Sequence, residues 1–347
     1  MTRRNDKLRG MSLTMIPWVR ANAAKVLVNV LLVFGLPALA AASPGCGGSV
    51  GPGGGVVTLN FDILQCAAVP ALIVTGPVTL DMRGHKLTCE SSSGSFGILL
   101  LGSVAVLRNG SVSGCGTAVE VGGSGNHLVH DMVASANSNR GFSVGSAKNV
   151  LTDNAASANN GGFVIFGNNN RLVTNTAKGN DTAGFLSLGG QGNVFIQNSA
   201  SGNKLFGFFS GGTGYTFQGN TAAANGSPGF EIAGIKHQLV QNTAIGNNAV
   251  GFSLSGFQFV ISQNTAMGNL LHGFWLDALG ASSVTGNKAF ANGNTGIKVT
   301  VNSHNNTLSG NVALANSLPD LLDDNPGCDA NSWKNNIFHD SNAACVQ

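Results

Sequence analysis

Short runs with a period of two recur through the second half of the chain. Phe230-Glu231-Ile232, Phe252-Ser253-Leu254, Phe274-Trp275-Leu276 and Ile297-Lys298-Val299 are four of them. Alternation of this kind predicts strands with one buried face. No window of ten or more residues in this region holds a 3.6-residue period, which argues against helical solenoids. The runs are also evenly spaced. Gly-Phe pairs stand at Gly141, Gly162, Gly184, Gly207, Gly229, Gly251 and Gly273, and Gly296-Ile297 is a conservative eighth. Successive glycines lie 21 to 23 residues apart. Asparagine follows the same rhythm. Asn-x-Ala triplets begin at Asn154, Asn175, Asn198, Asn220, Asn242, Asn264, Asn287 and Asn311, and a second asparagine follows five residues after each.

A fixed period means one supersecondary unit stacked on copies of itself. Three short strands and three turns fit into about 22 residues, which is one rung of a parallel β-helix. Neighbouring rungs then lie ~4.8 Å apart. Equivalent residues form columns, with phenylalanines stacking inside and asparagines hydrogen-bonding up and down the turns. The 50 glycines supply positive-φ turns. The fold class expected is all-β, a single-stranded parallel β-helix of about eleven rungs.

The rungs resemble the right-handed parallel β-helix repeat family of the pectate-lyase-like superfamily, with its NosD-type repeats and bacterial secreted members. Upstream, Leu80-Asp81-Met82-Arg83-Gly84-His85-Lys86-Leu87-Thr88-Cys89 is similar to a first-rung segment of that family. Downstream, Asp324-Asn325-Pro326-Gly327-Cys328, Asn331-Ser332-Trp333 and Asn335-Asn336-Ile337-Phe338 resemble a closing segment. The resemblance spans about residues 46–347 and implies the right-handed fold. It implies no single activity, because the family mixes enzymes with proteins of unknown role. Lyase members carry a cluster of Asp ligands with Arg on one face, and epimerase members a D-P-H-D motif. Neither pattern occurs in this chain.

Charge changes the picture at the N-terminus. Net charge is +3, but Arg3, Arg4, Lys7, Arg9, Arg20 and Lys25 all precede the apolar run Val26–Ala40. The remainder is near neutral, without the clustered cations that a nucleic-acid partner requires. The basic start, the apolar run and small residues at Ala38–Ala42 read as a signal peptide over 1–42. No membrane association is expected after its cleavage, and the protein is expected to be secreted or periplasmic. The six cysteines group as Cys46 with Cys66, Cys89 with Cys115, and Cys328 with Cys345. In an exported chain this grouping suggests disulfides pinning the two ends. A zinc site is the rival reading, and no CxxC or HxxxH pair supports it. The domain plan is therefore a signal peptide, a β-helix over 46–318 and a disulfide-linked cap over 319–347.

Chemistry on a β-helix belongs to its outward side chains. The residue two past each ladder glycine faces outward, giving the column Ser143, Val164, Leu186, Phe209, Glu231, Ser253, Trp275, Lys298. Asp277 belongs to the next column. Glu231, Trp275, Asp277 and Lys298 are thus expected on one face within ~15 Å. An aromatic ring among charges suits a sugar. Trp275 and Phe209 are the expected substrate-binding residues, and Glu231, Asp277 and Lys298 the candidate catalytic ones. The partner class is polysaccharide; the reaction, if there is one, would be a lyase, epimerase or hydrolase reaction. A non-catalytic structural surface protein is the third alternative. The bland alternative is a surface ion pair between Asp277 and Lys298.

No metal or other cofactor is called for, although Ca²⁺ is conceivable at Asp277 or at the acidic run Asp320, Asp323, Asp324 and Asp329. That run is expected instead as a solvated cap. His127 and His130 point to opposite strand faces, and His237, His272 and His304 are expected as solvated turn residues. In a last outward column, Ile245, Met267, Phe290 and Leu314 make an apolar stripe. The C-terminal segment, through Leu321, Trp333, Ile337 or Phe338, is expected to cover part of it.

Overall fold

The structure, a computed structural model, describes residues 42–90 and 94–347. The expected signal peptide over 1–42 lies outside the described residues except for its last residue, Ala42. The described chain winds into a parallel β-helix. Its first sheet has thirteen strands, from Gly48–Val50 to Leu321–Asp323. That is two turns more than the eleven expected. The last falls within the segment expected as a cap. Leu321–Asp323, Ser332–Lys334 and Ile337–Phe338 pair in register with the preceding turn on all three faces. The other two faces merge through two long strands, Val106–Ser113 and Leu128–Ser135, and separate again afterwards.

Each turn assigns its residues by size. Sheet one contributes the phenylalanines. From Phe142 to Phe274 successive rings stack with centroids 4.7–4.8 Å apart and planes within 6° of parallel. Sheet two contributes a large apolar residue, such as Phe195, Phe217, Leu239 and Ile261, and sheet three contributes alanine. Alanine is required there because the phenylalanines fill the cross-section. The ladder glycines are required by space as well. A Cβ on Gly229 would lie 2.8 Å from Asn247 Nδ2 and 2.9 Å from Gly251 O, so no side chain fits.

All three corners carry hydrogen-bonded ladders. In the Asn-x-Ala ladder, Asn242 Oδ1 accepts the backbone N–H and the Nδ2–H of Asn220, both at 2.9 Å. Its own Nδ2 donates to Phe217 O and Asn264 Oδ1, again at 2.9 Å. Every polar atom of a fully buried amide is thereby satisfied. The second ladder runs from Asn137 to Asn316 and ends on the Asp320 carboxylate. Asp320 and Asp323 are buried acceptors, which corrects the expectation of a solvated acidic cap. The Asp323 carboxylate accepts from Trp333 Nε1 at 2.9 Å and from Asn325 Nδ2 at 2.7 Å, and its backbone N–H donates to Asn342 Oδ1 at 2.9 Å.

The third ladder has no counterpart among the expected columns. It includes Asn149, Asn170, Asn193, Asn306 and Asn331, with His127, Tyr215, His237, Phe259 and Ser282 at equivalent places. His127 and His237 are buried, so the view of His237 as a solvated turn residue is corrected. Each accepts a backbone N–H from the previous turn at Nδ1 and faces a carbonyl with Nε2. These partners assign the Nε2–H tautomer. Burial holds both imidazoles below the usual histidine pKa. The ring thus replaces an asparagine amide as acceptor and donor.

The cysteines pair as Cys46–Cys66, Cys89–Cys115 and Cys328–Cys345. The first-rung motif is structural. Asp81 accepts from Arg83 N, Asn109 Nδ2 and Arg108 Nε, and so ties its own turn to the strand Val106–Ser113. The apolar stripe on sheet three is not covered by the C-terminal segment. Leu321 and Trp333 are core residues of the last turn, and Ile337 is exposed on it. Met267 and Leu314 stay exposed. The reason is that the last turn finds strand partners in register, and β-pairing keeps it on the solenoid axis. Removing the last disulfide with a Cys328→Ser/Cys345→Ser pair should cost about 3 kcal/mol for a loop of this length. Hydrogen exchange should show Leu321–Phe338 losing protection before the middle turns do.

Candidate functional site

The expected outward column of sheet one aligns in register, although Ser143, Val164 and Ser253 are buried in it. Ser143, Val164, Leu186, Phe209, Glu231, Ser253, Trp275 and Lys298 are successive register partners. At the C-terminal end, Trp275 is 36% exposed and is flanked by Ser253 on one turn and Lys298 on the next. Glu231 lies one turn beyond Ser253. The sequence therefore brings Glu231, Trp275 and Lys298 onto one line, with Asp277 two residues along from Trp275.

The pairing of charges differs from the expectation. Lys298 Nζ contacts Asp324 Oδ2 at 3.1 Å, not Asp277. Asp277 Oδ1 instead accepts from Thr300 Oγ1 at 2.9 Å. The reason lies in the last turn, which places Leu322 beside Lys298 and so carries Asp324 to the same face. His272, expected as a solvated turn residue, is half-buried with its ring 6.1 Å from Trp275. Burial, then the nearby Lys298 charge, holds its pKa below the usual histidine value, and Asp324 opposes them. Its Nδ1 is buried without a hydrogen-bond partner. His272 and Asp324 are thus members of the site that the column rule missed. One lies on the turn before the strand, and the other comes from a segment outside the repeat.

Glu231 is half-buried, and burial raises its carboxyl above the usual glutamate range. The Ser253 hydroxyl opposes that shift by hydrogen bonding, and the Asp277 charge adds to it. Phe209 packs against Phe206 with centroids 4.9 Å apart. Together with Leu186 and Leu205 they line an apolar cleft of about 180 Å³. Among the described residues no group of three or more His, Cys, Asp or Glu is arranged to hold a metal ion. The arrangement offers a flat aromatic surface, a carboxyl with a displaced pKa, a cation held by a partner, and an apolar cleft three to four turns from Trp275.

This is the layout of a solenoid that presents side chains in rows, and the sequence carries the signature of its class. The chain belongs to the right handed beta helix region family, whose model matches residues 78–200 and 188–344. A comparison with curated proteins finds no match. Among solved structures, it is similar to the periplasmic alginate epimerase AlgG, at 16% identity and TM-score 0.61, covering 78% of this chain and 77% of that one. It is similar to the A-module of the mannuronan C-5 epimerase AlgE4 of Azotobacter vinelandii, at 16% identity, TM-score 0.51 and coverages of 84% and 86%. A third is the catalytic unit of an α-1,3-glucanase from Streptomyces thermodiastaticus, at 13% identity, TM-score 0.53 and coverages of 87% and 65%. At these identities the likeness shows the shared fold.

Proposed function

We propose that this protein is an exported β-helix that binds an extracellular polysaccharide along the outer face of sheet one, with Trp275 as the platform for a sugar ring. The observation that carries the reading is the exposed Trp275 ring in a register-aligned row with Glu231 and Lys298. An indole face packs on the C–H face of a pyranose, and flanking charges bind hydroxyls. Three disulfides and the basic-then-apolar start support export. The solved structures of similar fold include enzymes named for alginate and α-1,3-glucan, which supports a polysaccharide as the class of partner.

Trp275→Ala should weaken binding to the best glycan in a polysaccharide panel at least about ten-fold, roughly 1.4 kcal/mol. Affinity electrophoresis measures this, and unchanged mobility in the variant would remove Trp275 from the site. A hydrolytic or epimerising reading has one observation in its favour, the raised pKa of Glu231 beside the Asp277 charge. A carboxyl whose pKa is raised keeps its proton to higher pH, as a general acid requires. Under that reading, Glu231→Gln abolishes product formation and leaves binding intact. If no product forms with the unaltered protein, the binding role stands alone.

A further inference from the structure

The same outer face carries a second recess near its N-terminal end, far from Trp275. It has a volume of about 340 Å³ and is bordered by Thr117, Glu120, Asn139 and Arg140, with Ser95 and Phe96 on the turn before Thr117. Ligand sites start at about 300 Å³. Glu120 and Ser143 are register partners on adjacent turns, as are Thr117 and Arg140. Six register steps separate Ser143 from Trp275, or ~29 Å at strand spacing. One monosaccharide cannot touch both.

Arg140 is held in place from two sides. Its Nη1 donates to Ser143 Oγ at 3.1 Å, and its guanidinium carbon lies 5.0 Å from the centre of the Phe166 ring. It forms no ion pair among the described residues. Most of its planar fork of N–H donors is therefore available to a ligand, already oriented. Ser143 is buried and also hydrogen-bonds to Glu120. The half-buried Glu120 carboxyl is held above its usual pKa by desolvation, against the Ser143 hydrogen bond and the Arg140 charge. Its register partner on the other side is the apolar Leu99.

We propose that this recess is a binding site for a small hydroxy-carboxylate, such as a sugar acid, whose carboxylate Arg140 takes and whose neighbouring hydroxyl Glu120 takes. A guanidinium fork matches a carboxylate in plane and in spacing. A phosphate would bring a second negative charge beside Glu120, so the site favours a single charge. Glu120 offers a hydrogen-bond partner to a hydroxyl in either protonation state. The site stands independently of the Trp275 reading.

Titration calorimetry with glucuronate, glucose and inorganic phosphate tests the assignment. Glucuronate should bind, glucose should not, and phosphate should bind at least about ten-fold more weakly. Arg140→Lys keeps the charge and removes the fork, and should weaken glucuronate about ten-fold or more. Trp275→Ala should leave glucuronate binding unchanged, which separates this site from the polysaccharide face. The sign of the pH effect follows from the raised pKa of Glu120. As pH falls from neutrality towards the ordinary carboxylate range, Glu120 takes up a proton before ordinary carboxylates do, and its repulsion of the ligand weakens. Binding should tighten over that window, and Glu120→Gln should flatten the dependence. Undetectable glucuronate binding would overturn the proposal, as would binding indifferent to Arg140→Lys in a variant of unchanged melting temperature. Phosphate bound as tightly as glucuronate would overturn the ligand class.

Discussion

Replacing Asn242 by leucine should break the solenoid's cooperativity at its middle. The substitution removes the acceptor for the N–H and Nδ2–H of Asn220 and the donor to Phe217 O. All three groups lie in a dry corner, and each orphan costs ~1–3 kcal/mol. The total is on the order of 5 kcal/mol, placed at one interface between turns. A repeat protein is stabilised turn by turn and by nearest-neighbour contacts. A loss of this size therefore allows the two halves to unfold separately. Hydrogen exchange should show protection falling first around Asn220–Asn264, and urea unfolding should turn from one transition into two. A single transition with an unchanged midpoint would mean that the ladder contributes little beyond the sheets.

The second large effect belongs to the phenylalanine ladder. Phe230 stacks between Phe208 and Phe252 at 4.7 Å on each side, fully buried. Phe230→Ala should cost about 3–5 kcal/mol, since it leaves a cavity and removes two stacked contacts. Phe230→Leu should cost about 1 kcal/mol, because the ladder already ends on the aliphatic Ile297 against Phe274. Chemical denaturation of the two variants separates volume from stacking. Equal costs for alanine and leucine would show that ring stacking, not filled volume, dominates the column.

The repeat made most of the fold legible. Gly-Phe and Asn-x-Ala spacing located the strands, the inward ladder and the outward column, and register confirmed that column residue by residue. The glycines illustrate a limit of the reading. Their expected use was positive φ, and at Gly229 the reason is the close approach of Gly251 O and Asn247 Nδ2 across the corner. The third ladder was harder to see. Only part of it is asparagine, and His, Tyr, Phe and Ser occupy the remaining places. Its spacing of about one rung from His127 through Asn149 to Asn170 was nonetheless present in the sequence.

The candidate site was legible only as far as the period runs. Glu231, Trp275 and Lys298 share a line because a two-residue alternation and a rung-long repeat fix both face and height. His272 and Asp324 escaped that rule, and so did the Glu120–Arg140 recess, which precedes the first Gly-Phe pair. The sequence alone determined the inward phenylalanine and alanine columns, since close packing at a fixed rise tolerates few residue types at each of those places. Which outward groups pair was decided by the tertiary structure. The last turn brings Asp324 to Lys298 and leaves Asp277 to Thr300. Outward side chains meet partners from turns and termini that carry no period, and only the folded chain brings those within the few ångströms over which charges and hydrogen bonds act.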